Sequence, residues 1–121
     1  MVGSHDLWLK LAENFEYIEG GQIANGFVCL LALSESVEPI SATEMSRYVS
    51  LKTKGEIFKV SATLKDSLEH RLRPAGYVEG ADIASKKKGG KKPIRVSLYK
   101  ITPKGRKLLK GWIGFLRAMS P

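Results

Sequence analysis

Cysteine is almost missing from this sequence. Among its 121 residues only Cys29 carries a thiol. No internal disulfide can form, and no cysteine-based zinc cluster can be built. The two histidines, His5 and His70, lie far apart without a paired ligand spacing. No metal and no cofactor are expected. Long hydrophobic runs are missing too. The longest, Phe27 to Leu33, has seven residues, far short of the ~20 that span a bilayer. The chain opens without the basic stretch and apolar core of a signal peptide. A cytoplasmic location with no membrane partner is the expectation. Catalytic motifs are also lacking. There is no nucleophile–base spacing and no carboxylate pair. Neither Gly20-Gly21 nor Gly89-Gly90 leads into the Gly-Lys-Ser/Thr ending of a phosphate loop. An enzyme is not expected.

The most informative absence is of acid. After Asp82 the chain has no Asp or Glu at all. Residues 1–50 hold seven acids against two bases, whereas residues 51–121 hold eighteen bases against five acids. The whole chain carries +8 at a sequence pI near 9.7. A merely soluble surface intersperses its signs. A half of one sign is the footprint of a protein that binds a polyanion. With 43% apolar residues and 13.4 kDa, the chain has enough to form a single small core.

Periodicity gives the organisation. Trp8, Leu11, Phe15 and Ile18 recur at helical spacing over residues 6–18, with Asp6 as N-cap and Gly20-Gly21 as the stop. A second helix, from about Gln22 to Ser34, is apolar on most sides and therefore buried. Cys29 lies within it and reads as a small core hydrophobe. Ser41-Ala-Thr-Glu44 fits a capping box, with Ile40 and Met45 as its hydrophobic staple, so a third helix should run from Ala42 to about Val49. After Ser50-Leu-Lys-Thr-Lys-Gly55, the residues Ile57, Val60, Leu64, Leu68 and Leu72 form one helical stripe. The opposite face holds Lys59, Thr63, Asp66, His70 and Arg73. Pro74 and Gly76 end that helix.

The period then changes. Tyr77 to Ile83 and Ile94 to Ile101 are β-branched and aromatic, and between them lies Ser85-Lys-Lys-Lys-Gly-Gly-Lys-Lys-Pro93. This predicts a hairpin with a long basic tip turning at Gly89-Gly90. Thr102 and Pro103 open a last helix as N-cap and first helical residue. The order is α-α-α-α-β-β-α, a mainly α chain with a small β-hairpin (α+β). Residues 1–121 read as one winged helix-turn-helix domain, comprising an N-terminal helical extension (1–20), a core (22–101) and a C-terminal helix (102–121).

Several local patterns resemble the winged helix-turn-helix regulators of the MarR and PadR kind. Leu72-Arg-Pro-Ala-Gly-Tyr-Val78 is similar to the junction between recognition helix and wing. Tyr99-Lys-Ile-Thr-Pro-Lys-Gly-Arg-Lys-Leu108 resembles the close of the wing and the opening of the next helix. Ser41-Ala-Thr-Glu-Met-Ser-Arg47 resembles the start of the family's second helix. Together they cover roughly residues 22 to 110. Between the second helix and Gly76 there are about eight residues more than the family pattern has. The recognition helix can therefore begin at Gly55-Glu-Ile-Phe-Lys59, as in the PadR pattern, or at Ser61-Ala-Thr-Leu-Lys65, as in the MarR pattern. The unbroken stripe from Ile57 to Leu72 favours the earlier start.

In such a fold the start of the recognition helix enters the major groove. Thr53, Lys54, Lys59, Ser61, Thr63 and Lys65 are its candidate contacts. Lys86, Lys87, Lys88, Lys91, Lys92 and Arg95 form a wing cluster suited to phosphates or a minor groove. Trp8, Phe15, Trp112, Phe115, Leu116 and Met119, on the terminal helices, are either core or the interface of a homodimer. Two-fold operators suit a two-fold dimer. The leading expectation is a homodimeric, sequence-specific double-stranded DNA binder acting in transcription regulation, with any small-molecule effector unidentified. The alternatives are an architectural, chromatin- or ribosome-associated module that binds DNA or RNA with little specificity, and an interaction domain whose basic wing meets an acidic protein.

Overall fold

A computed structural model describes residues 4–13, 23–57, 59–85 and 94–118. Its order is α1 (Ser4–Glu13), α2 (Ile23–Glu35), α3 (Ala42–Lys52), α4 (Ser61–Ser67), β1 (Val78–Ser85), β2 (Ile94–Ile101) and α5 (Pro103–Ala118). α4 runs on into a π-helical turn, Leu68–Leu72. The two strands pair antiparallel from Val78–Ile101 to Ser85–Ile94. The chain is therefore mainly helical with one small sheet, an α+β architecture. No helix among the described residues is long and apolar enough to cross a membrane.

α2 sits at the centre. From Phe27 to Leu33 every side chain is buried, so the segment needs cover on all sides. α3, α4, β2 and α5 all pack against it. Met45 and Val49 approach from α3, Leu64 from α4, Leu68 and Leu72 from the π turn, and Leu109 and Leu116 from α5. Cys29 is core, as its setting in an apolar run predicts, and burial pushes its thiol up to about 12. Glu35, at the end of α2, collects two neighbours on one oxygen. Oε1 accepts from Trp8 Nε1 at 2.7 Å and from the Tyr48 hydroxyl. One carboxylate thus joins α1, α2 and α3.

Caps and turns set the remaining geometry. Ser41 caps α3 as its sequence predicts, with Oγ accepting from Glu44 N at 3.2 Å, and Met45 is buried beneath it. Ile40, just before the cap, exchanges two backbone hydrogen bonds with Tyr99 (3.1 and 2.8 Å), adding a one-residue bridge beside β2. Thr102 caps α5, accepting from Gly105 N at 3.0 Å and donating to Gly76 O at 2.7 Å. Gly105 lies so close to the Tyr77 carbonyl that a Cβ there would sit 2.1 Å from its oxygen. Only glycine lets the first turn of α5 approach the hairpin so closely.

Two expectations need correction, and one falls on residues the structure does not describe. α1 begins at Ser4, so Asp6 lies inside its first turn and is not the cap. The Gly20-Gly21 stop lies outside the described residues. The largest correction concerns the start of the fourth helix. It begins at Ser61, not near Gly55. Lys54 and Gly55 take φ of 52° and 81°, left-handed values that no α-helix continues through. Buried Thr53 ties this turn, donating to Val49 O at 2.8 Å while its Oγ1 accepts from Ile57 N at 3.0 Å. Ile57 is buried from the turn, not from a helix, and Val60 faces solvent. The stripe mimicked one helix because a turn residue fills the same core at compatible spacing.

Candidate nucleic-acid interface

α3, α4 and β2 meet around one surface cleft of about 330 Å³. Ser41, Ala42 and Thr43 line it from the start of α3, and Ser61, Ala62 and Lys65 from α4. Val96, Ser97 and Tyr99 line it from β2. The first-turn amides of a helix lack partners within the helix and carry partial positive charge, so helix starts suit phosphate oxygens. Here the start of α3 shares its cleft with hydroxyls and an exposed lysine.

Glu69 holds the hairpin against this helix pair. Its Oε2 accepts from the Tyr99 hydroxyl at 2.8 Å, and its carboxylate takes Arg73 Nη1 at 3.0 and 3.2 Å. Arg73 Nη2 also reaches Gly80 O on β1 at 3.4 Å. The π turn places Glu69 and Arg73 on this side while Leu68 and Leu72 remain in the core. Burial, then the Glu69 carboxylate, pushes the Tyr99 phenol up to about 12. Sequence reasoning missed this cluster as a unit. The Glu69–Arg73 spacing of four was visible, but nothing in the sequence joined Tyr99 to it.

The expected groove residues divide. Ser61 and Lys65 come together in the cleft, and Thr63 is half-buried in the first turn of α4. Lys59 precedes α4, and its carbonyl accepts from Ser46 Oγ at 2.6 Å. Lys54 is exposed in the left-handed turn and does not line the cleft. Thr53 is not a contact: its side chain is fully buried and spent on the turn. Of the wing cluster, Lys86, Lys87, Lys88, Lys91 and Lys92 lie outside the described residues. Arg95 stands on β2 opposite Ala84.

The terminal-helix residues divide as well. Trp8 and Leu116 are fully buried and belong to the core, so neither is a free interface residue. Trp112 lies on α2, with its ring centroid 5.7 Å from that of Phe27 and its edge against Gly26. Phe115 is 60% exposed. Phe15 and Met119 lie outside the described residues.

No protein-family model, curated protein or solved structure matches this chain.

The Tyr99 phenol has a sign that can be tested. A group whose pKa is raised on folding holds its proton more tightly in the fold, so stability is full below the unfolded value and falls as pH rises from there through the folded one. Stability should hold below about pH 10, the ordinary tyrosine value, and fall as pH rises toward 12. Chemical denaturation across that range should show the fall, and Tyr99→Phe should reduce it.

Proposed function

We propose that this chain is a winged helix-turn-helix protein that binds double-stranded DNA sequence-specifically, as a homodimeric transcription regulator. Two observations carry the reading. The starts of α3 and α4 and strand β2 share a single cleft that holds Lys65, and the chain beyond Asp82 is wholly free of acid. In this reading α4 is the recognition helix, β1 and β2 are the wing, and the bridge at Ile40 is the small third strand beside it. Ser61, Thr63 and Lys65 face the groove. The lysines between Ser85 and Ile94 supply sequence-independent attraction to phosphate. The likeness of Leu72–Val78 and Tyr99–Leu108 to MarR and PadR regulators points the same way.

The dimer reading moves to a narrower face. Gly111, Gly114, Phe115 and Ala118 are all exposed on α5, and their spacing puts them on one stripe. A Cβ added at Gly111 or Gly114 would meet nothing within 4 Å. Glycine inside a helix costs about 1 kcal/mol relative to alanine, and this chain gains no internal packing in return. Close approach of a second copy gives both glycines and Phe115 a role.

Three measurements test these readings. Binding to a duplex should weaken steeply with salt, with a log–log slope near −4.5 if about five phosphates are neutralised. Replacing Lys86, Lys87 and Lys88 by alanine should flatten that slope by up to about 3, equally on all sequences. An unchanged slope removes the wing lysines from the contact. A large ratio of affinities between preferred and random duplexes marks a regulator, and a ratio near one marks the architectural alternative. For the dimer, Phe115→Ala should move the light-scattering mass toward the monomer. Gly111→Ala should do the same while raising the stability of the monomer by about 1 kcal/mol. A wild-type chain that stays monomeric at high concentration refutes this face.

A further inference from the structure

α5 is rich in lysine and arginine and contains no acid. Lys104 is engaged, donating to Ala75 O at 2.7 Å with its ammonium 4.9 Å from the centre of the Tyr77 ring. The side chains of Arg106, Lys110 and Arg117 have no hydrogen bond or ion pair among the described residues. With Ile113 they recur at four, three and four, so they share one stripe of the helix. That stripe and Ser34, at the end of α2, surround a surface cavity of about 430 Å³. Buried Leu109 and half-buried Ile113 give the cavity an apolar floor. Gly114 leaves its rim open, since a Cβ there would meet nothing within 4 Å. Like charges one turn apart repel, and no acid of α5 offsets the Arg106–Lys110 pair. The cavity shares no residue with the cleft between α3, α4 and β2.

We propose that this cavity binds a small organic anion with an apolar body, of which a medium-chain carboxylate is the simplest case. The acidic group meets Arg106 and Lys110, and the body lies on Leu109 and Ile113. The volume falls among those of small-molecule sites, about 300–1,000 Å³, where apolar walls cover the ligand and a few polar groups fix its orientation. Ser34 Oγ already donates to Leu31 O at 2.7 Å, so the guanidinium and ammonium groups supply the donors. Charge-assisted bonds of this kind are the strong ones. Other occupants fit less well. A duplex backbone would use the cations and leave the apolar floor idle. A second copy packed on this face about a two-fold axis would set the same cations against themselves.

Three probes separate the charge from the body. Octanoate has both, octan-1-ol has the body alone, and inorganic phosphate has the charge alone. Each is titrated into the full chain while amide chemical shifts are recorded. Octanoate should move Ser34 and residues 106–117 to saturation. The other two probes should bind there at least about tenfold more weakly, the worth of one hydrogen bond to a charged group. Arg106→Gln combined with Lys110→Gln alters two exposed side chains and relieves their repulsion. This variant should melt no lower than the wild type and bind octanoate about tenfold more weakly. Octanoate that leaves Ser34 and residues 106–117 unmoved overturns the proposal. So does phosphate or octan-1-ol binding as tightly as octanoate, or octanoate binding that the double substitution leaves intact. A glutamate-rich peptide that binds more tightly than octanoate also overturns it, in favour of an acidic protein partner. The inference is independent of the duplex-DNA reading, which stands or falls on the other cleft.

Discussion

An α-helix with no polar face must be covered from every side, and α2 is that helix. Its buried run from Phe27 to Leu33 draws in α3, α4, α5 and the edge of β2. Burying each large aliphatic side chain contributes about 1.5–3 kcal/mol, and the pieces that touch α2 share one core. The polar end of the same helix adds direction to that packing. Glu35 gives one carboxylate oxygen to Trp8 and Tyr48, and hydrogen bonds to a charged acceptor are stronger than neutral ones. The helix that hides everything apolar thus also orients α1 and α3 around its end.

The cleft follows from that arrangement. α3 and α4 both lean on α2, and their starts come together where β2 closes the third side. The Ile40–Tyr99 bridge fixes β2 to the start of α3, Glu69, in the π turn that continues α4, fixes it through Tyr99, and Arg73 ties Glu69 to β1 at Gly80. Three elements from distant parts of the chain are thereby tied to one another. In the proposed function the labour is divided. The lysine-rich segment beyond Ser85 supplies attraction without sequence information, and the short side chains of α4 supply discrimination.

Much of this was legible in the sequence, and for physical reasons. The capping box at Ser41, the Thr102-Pro103 start and the change of period at Tyr77 are local signals, and each marks an observed element boundary to within a residue or two. The all-round apolar pattern of residues 23–33 marked the buried helix. The start of α4 was misread because periodicity records which residues are buried, not what backbone carries them. Ile57 enters the core from a turn held by Thr53, and that turn depends on left-handed backbone at Lys54 and Gly55. The same limit applies to Trp8, Leu116 and Trp112. An aromatic or leucine stripe on a terminal helix looks alike whether it meets the same chain or a second copy. Only the structure places Trp8 and Leu116 in the chain's own core with Trp112 packed against it, and leaves Phe115 exposed.

The central claim is that the starts of α3 and α4, together with β2, form the surface that meets duplex DNA. Amide chemical shifts recorded while a duplex is added test it most directly, because they locate contact residue by residue. The account predicts that the largest changes fall on residues 41–44, 61–66 and 96–99 together, with the stripe from Gly111 to Ala118 unchanged. Changes confined to α5, or none at saturating duplex, would contradict it.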